Sequence, residues 1–154
     1  MPERALPEVR EYFTRHRHDH AEHIRVHPRA STVLTAIRSA GVKLACVTNS
    51  HRAIALTQLT GAGLRRFFPV LITADDVVRP KPAPDMLRSA CRRLGVRPGQ
   101  ALFIGDTRTD EQAARHAACR FIGCRYQSRT SIRDLSRLLS FFDKGFAGLT
   151  VTGF

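Results

Sequence analysis

The sequence predicts an α/β fold built on a largely parallel sheet, and three observations carry that reading. Short apolar runs of strand length, VKLACV at 42–47, FPVLIT at 68–73, ALFI at 101–104 and FIGC at 121–124, alternate with helix-like segments. The connections between them are long enough to hold helices, as parallel strands require. Residues able to bind anions or cations cluster just behind the runs, where open α/β sheets bind ligands.

Residues 5–26 open with helix-compatible spacing (Leu6, Val9, Phe13), followed by His16, His18, His20, His23 and His27. His16 and His20, like His23 and His27, are four apart and would share a helix face. That spacing suits zinc, but arginines intervene and no cysteine is near, so a polar helix face is the expectation. Pro28 breaks the chain. Ser31 is the expected N-cap of a helix carrying Val33, Leu34 and Ile37 on one side and ending at Gly41.

The 42–47 strand delivers Thr48-Asn49-Ser50. These three can donate hydrogen bonds to an anion, or they can simply start the next helix, Ala53 to Leu59; both readings stand on local chemistry. The 68–73 strand is followed by Asp75-Asp76 and then by RPKPAPD at 79–85. Three prolines stiffen the loop and hold Lys81 at a fixed place. A helix from Asp85 to Leu94 follows, ended by Gly95.

Ala101 to Ile104 has the composition of a buried strand, and Gly105 is expected to let the backbone turn sharply where Asp106 emerges. Asp106 and Asp110, four apart, repel each other unless a cation lies beside them, and hard oxygen ligands suit Mg²⁺. Alternatively, Asp110 caps the helix behind it. Arg120 to Tyr126 holds another short strand, and SIRDLSRLL, Ser131 to Leu139, is predicted helical. The tail FFDKGFAGLTVTGF is apolar, Gly-rich and unlike a stable helix.

A length of 154 residues fits one domain. No apolar run reaches the roughly eighteen residues of a membrane span. MPERALPEVREYF lacks the apolar segment of a signal peptide, so a cytoplasmic protein is expected. The formal net charge of +12 favours anionic ligands, but the arginines are scattered from Arg4 to Arg137, so nucleic acid is not the expected partner. Cys46, Cys91, Cys119 and Cys124 show no C-x-x-C pairing and are expected as buried, reduced thiols. Hydroxyl and amide donors, a rigid lysine and paired carboxylates at successive strand ends describe a site for a phosphate with a divalent cation.

VTNS at 47–50, RPKPAPD at 79–85 and FIGDTRTD at 103–110 resemble motifs II, III and IV of the haloacid dehalogenase superfamily, its phosphoglycolate-phosphatase-like branch in particular. The resemblance covers about Val26 to Tyr126. It implies a Rossmann-like three-layer α/β/α core with a mostly parallel sheet and a Mg²⁺-dependent phosphomonoester hydrolase acting on a small phosphorylated metabolite. Carried over by position, Thr48 resembles the hydroxyl that binds the transferred phosphoryl group, with Asn49 a further donor. Lys81 resembles the lysine that offsets charge on nucleophile and phosphate. Asp106 resembles the Mg²⁺ ligand, and Asp110 the acid that supports the metal site. Phosphoryl transfer to an enzyme aspartate and hydrolysis of the aspartyl phosphate are the implied steps.

The chain departs from this pattern at motif I, D-x-D-x-T/V, which in the family lies on the first, central strand and supplies nucleophile and general acid/base. Asp19, the only aspartate before Thr48, has no apolar strand before it and no second Asp two residues on. The expected division is a remnant of a helical cap at 1–27, the α/β core at 28–140 and a tail at 141–154, with little activity from this chain alone. The competing reading is a non-catalytic phosphate-binding or regulatory protein on the same scaffold. A missing central strand would leave two strand edges unpaired. An upstream segment, a separate chain, or the tail residues Leu149-Thr150-Val151-Thr152 are the candidates to fill that slot.

Overall fold

Among the described residues, six parallel strands form one sheet whose order, rather than whose length, positions the site. The structure, a computed structural model, describes residues 26, 29–139 and 148–151. The expected cap remnant at 1–27 and its histidine pairs lie outside the described residues, Val26 apart. The strands are β1 (Lys43–Val47), β2 (Val70–Ile72), β3 (Ala101–Gly105), β4 (Arg120–Cys124), β5 (Ser131–Ile132) and β6 (Gly148–Val151), in the order β2-β1-β6-β3-β4-β5. The helices are α1 (Ala30–Ser39), α2 (Arg52–Gly61), α3 (Asp85–Leu94) and α4 (Arg108–Ala117).

Side chains alternate across the pleat, so each central strand feeds two cores. Leu44, Cys46, Leu102 and Ile104 face one side, packing with Val33, Leu34 and Ile37 of α1 and Leu59 of α2. Ala45, Val47 and Phe103 face the other, against Met86, Leu87 and Ala90 of α3 and Ala113, Ala114 and Ala117 of α4. This is the three-layer arrangement expected, with small alanines on α4 letting that helix lie close to the sheet.

Three local expectations are corrected. Helix α1 begins at Ala30, not after a Ser31 cap: Arg29 holds the N-cap position at φ 64° without a side-chain cap, and the Ser31 carbonyl accepts from Thr35 Oγ1 at 2.8 Å. Ala30 is buried in the core, which favours extending the helix over stopping it at a polar cap. The predicted helix over 131–139 is instead the edge strand β5 followed by a 3-10 turn at Leu135–Leu138, because Asp134 accepts from Ser136 N–H at 2.7 Å and starts a new turn. Of the four thiols, Cys46 and Cys91 are buried while Cys119 and Cys124 are half-buried.

The slot at the sheet centre is filled by the tail. β6 pairs in parallel with β1, from Lys43↔Gly148 to Cys46↔Val151, and with β3, from Ala101↔Gly148 to Ile104↔Val151. β1 and β3 do not pair with each other, so the last described strand joins the two halves of the sheet. Each ladder hydrogen bond contributes about 1 kcal/mol, and a domain's whole margin is about 5–15 kcal/mol. Deleting residues 148–154 should therefore abolish cooperative unfolding in a circular-dichroism melt. A deleted protein that still melts cooperatively within about 5 °C of the full chain would show that β6 is dispensable.

Candidate functional site

The carboxyl ends of β1 and β3 open onto a cavity of about 390 Å³ whose lining includes Thr48, Asn49, Ser50, Lys81, Asp106 and Asp110. Every residue expected to bind phosphate or metal thus reaches one cavity. The acids Asp75 and Asp76 do not line it.

Lys81 and Asp110 form its base. Lys81 Nζ lies 2.6 Å from Asp110 Oδ1, with the two side chains 4% and 3% exposed, and 3.4 Å from the Val47 carbonyl. The other carboxylate oxygen of Asp110 accepts from Thr107 Oγ1 at 2.7 Å, from Thr107 N–H at 3.2 Å and from Asp106 N–H at 3.3 Å. Asp110 N–H in turn donates to Thr107 Oγ1 at 3.2 Å, closing a capping box at the start of α4. Asp110 therefore supports the helix start from the third position of the capping box, and as a buried carboxylate it anchors the lysine, a contact that neither reading of the sequence contained. The N-cap residue itself is Thr107.

Asn49 holds Lys81 from the other side. Its carboxamide oxygen accepts from Lys81 N–H and its Nδ2 donates to the Lys81 carbonyl, both at 3.0 Å. One Nδ2 proton is left for a ligand. The Lys81–Pro82 bond is cis. Thr48 Oγ1 accepts from Ser50 N–H at 3.1 Å, which orients the hydroxyl and leaves its proton to donate. Cys46, at the cavity wall, is pushed up to about 12 by burial despite the positive charges of Lys81 and Arg65, so it is a wall atom and not a nucleophile.

Gly105 acts differently from the expectation. It needs no left-handed backbone; a Cβ there would lie 2.5 Å from Asp110 Cβ and 2.8 Å from its Cγ, so glycine makes room for the anchoring carboxylate. The sharp turn comes from residues 106–107 curling over Asp110.

Asp106 is the exposed acid. Partial burial, and then the adjacent Asp110 charge, raise it above the ordinary carboxylate range. An acid so crowded fits a hard cation, which would relieve the repulsion. Among the described residues no group of three His, Cys, Asp or Glu comes together. One or two carboxylates, with the remaining positions filled by water and phosphate, is the set that Mg²⁺ takes. Asp106 would hold the ion directly, with Asp110 behind it.

The acids after β2 form a second capping box. Asp76 accepts from Thr73 N–H and Thr73 Oγ1 at 2.8 Å and from Arg52 Nη2 at 2.6 Å; Asp75 accepts from Arg52 N–H at 2.7 Å and lies 2.6 Å from His51 Nδ1. They pin the start of α2 to the end of β2. Burial pushes Asp76 up, but the hydrogen bonds from Arg52 and Thr73 outweigh it and hold the carboxyl below its ordinary 3.8. The pattern Thr-x-x-Asp at 73–76 and 107–110 was the sequence signal for both boxes.

The Haloacid dehalogenase-like hydrolase family model matches residues 2–124. A plasmid-borne phosphoglycolate phosphatase of Cupriavidus necator is 41% identical over 92 residues, 60% of this chain and 40% of that protein. The phosphoglycolate phosphatase of Escherichia coli is 37% identical over 99 residues, 64% of this chain and 39% of that protein. The match thus spans about two fifths of the curated relatives. Among solved structures, a HAD phosphatase from Thermococcus onnurineus superposes with a TM-score of 0.74 at 28% identity, over 89% of this chain and 65% of that one. CbbY from Rhodobacter sphaeroides, in complex with phosphate, gives 0.78 at 24% identity, over 90% and 67%. Among the described residues, no helix is long and apolar enough to cross a membrane.

Two outcomes follow from the geometry. Lys81→Ala leaves Asp110 buried without its ammonium and should cost about 3–5 kcal/mol in urea unfolding, whereas an exposed pair would cost under about 1 kcal/mol. Asp76 is lowered, so its stabilisation is full above the ordinary carboxylate value and is lost as pH falls through the lowered one. Asp76→Asn should therefore lower Tm at about pH 7, and the difference from the unmodified chain should shrink as pH falls below the ordinary carboxylate range.

Proposed function

This chain belongs to the haloacid dehalogenase-like hydrolase family, and from that premise we propose that its cavity grips the phosphate group of a small phosphorylated metabolite together with Mg²⁺, in the cytoplasm. The class of chemistry is phosphomonoester hydrolysis of the phosphoglycolate-phosphatase type. The observation that supports it best is the convergence of Thr48, Asn49, Lys81, Asp106 and Asp110 on one cavity at the ends of β1 and β3.

The Thr48 hydroxyl and the remaining Asn49 amide proton donate to phosphate oxygens, and the Lys81 ammonium offsets their negative charge. Asp106, supported by Asp110, would hold the magnesium, which when bound would offset charge on the phosphoryl oxygens. Asp110 holds the lysine in place in a site too dry to leave its side chain without a partner. Among the described residues, the cavity's carboxylates are Asp106 and Asp110, and both oxygens of Asp110 are engaged. With Asp106 directed to the cation, neither is left to accept a phosphoryl group, so this chain by itself binds phosphate more readily than it turns ester over. That feature equally favours the second reading, a phosphate-binding or regulatory protein on the same scaffold.

Phosphate with MgCl₂ should raise Tm, a ligand at 100 times its Kd contributing about 2.7 kcal/mol. Thr48→Val and Asp106→Asn should each remove most of that rise while leaving the far-ultraviolet spectrum unchanged. p-Nitrophenyl phosphate should be hydrolysed far below the usual range of about 1–10³ s⁻¹. Absence of any Tm shift would remove the phosphate reading; turnover in the usual range, abolished by Asp106→Asn, would restore a complete active site.

A further inference from the structure

The cavity is larger than a phosphate needs, and one of its walls takes no part in holding one. At about 390 Å³ it has the room of roughly thirteen waters at ~30 Å³ each. Beyond the polar rim it is lined by Cys46 of β1 and by Ala55, Gln58 and Leu59 of α2. Cys46 lies two residues before Thr48 on the same side of the strand, so this wall reaches about 7 Å below the hydroxyl at the rim. Cys46, Ala55 and Leu59 are buried and belong to the core beneath α1 and α2.

Gln58 is the exception on that wall. Residues 55, 58, 59 and 62 fall on one stripe of α2 and its C-cap, and Ala55, Leu59 and Ala62 all pack against the core. A glutamine in the middle of such a stripe is half-buried among apolar neighbours. Its carboxamide carries one acceptor and two N–H donors, yet makes no hydrogen bond among the described residues. The distribution of charge narrows what could meet it. Among the described residues lining the cavity, Lys81 is the one cation, and Asp110 lies against it. A carboxylate laid on Cys46, Ala55 and Leu59 would be desolvated with no cation of its own and would add to the charge of Asp106. A hydroxyl there would meet an amide able both to donate to it and to accept from it.

We propose that this wall receives the organic part of the phosphorylated ligand, an uncharged chain of a few carbons bearing a hydroxyl, and that Gln58 is the residue that selects it. The inference rests on the phosphate reading of the rim and adds to it the class of ester. With the phosphate at Thr48, Asn49 and Lys81, the carbon chain runs down the face of β1 towards Cys46. Its methylenes lie on Ala55 and Leu59, and its hydroxyl pairs with the Gln58 carboxamide. Apolar burial and one hydrogen bond then favour the ester over free phosphate. The same wall disfavours a phosphorylated carboxylic acid.

The test is calorimetric titration of the full chain, in MgCl₂, with inorganic phosphate, glycerol 1-phosphate and phosphoglycolate. Glycerol 1-phosphate should bind about tenfold tighter than inorganic phosphate, and phosphoglycolate no tighter than inorganic phosphate. Gln58→Leu should remove the advantage of glycerol 1-phosphate and leave the affinity for inorganic phosphate unchanged. Gln58→Lys gives the wall a cation and should reverse the order, placing phosphoglycolate above glycerol 1-phosphate. If either variant fails to fold, the order of the three ligands on the unmodified chain decides. Equal affinity for glycerol 1-phosphate and inorganic phosphate, tightest binding of phosphoglycolate to the unmodified chain, or an advantage of glycerol 1-phosphate that survives Gln58→Leu would overturn this inference and leave the phosphate reading standing. No binding of inorganic phosphate would overturn both.

Discussion

The buried contact between Lys81 and Asp110 is the constraint on which the site depends. An ion pair this dry contributes little net stability, since desolvating both charges offsets most of their attraction. What it fixes is position. The lysine comes from a proline-bound loop between β2 and α3, and the aspartate from the first turn of α4. Joining them at 2.6 Å locks two otherwise separate strand-to-helix connections across the carboxyl ends of the sheet. Each neighbour serves that contact: Asn49 clasps the lysine backbone, Thr107 and the backbone of residues 106–107 surround the carboxylate, and Gly105 supplies the space.

The sheet shows why such a lock matters. Among the described residues, its halves, β2-β1 on one side and β3-β4-β5 on the other, are joined in the sheet through β6. Thr48 rides on the first half and Asp106 on the second, so their separation is set by a strand from the end of the chain. Parallel pairing on both sides joins β1 and β3 to the far end of the described chain, a long-range closure of the kind that slows folding. The tail thus completes the backbone hydrogen bonding of the centre, but Gly148-Leu149-Thr150-Val151 brings no carboxylate there.

The same motif is used twice for different ends. Thr73-x-x-Asp76 and Thr107-x-x-Asp110 both fold a strand end into a helical turn through a capping box. In the first, the acid turns outward to Arg52 and stabilises the fold. In the second, it faces the interior and meets a lysine. Local sequence is the same in kind; the difference lies in what the third dimension brings opposite.

The apolar runs, the proline loop and the polar residues behind each run were legible as an α/β sheet with polar and charged side chains gathered along one rim, because strand length, burial and turn chemistry are local properties. Even Lys81, immobilised by its prolines, could be singled out. What sequence could not decide was every matter of partnership. The 131–139 segment has helical spacing yet is drawn into a strand edge by the exposed side of β4. Nothing local to Asn49 announced its clasp on the Lys81 backbone, and Gly105 looked like a turn and is a gap. The order of strands, and hence that the tail lies at the centre, follows from which unpaired edges remain once the other strands have packed. Such edges are created by the whole fold, so no stretch of chain contains them.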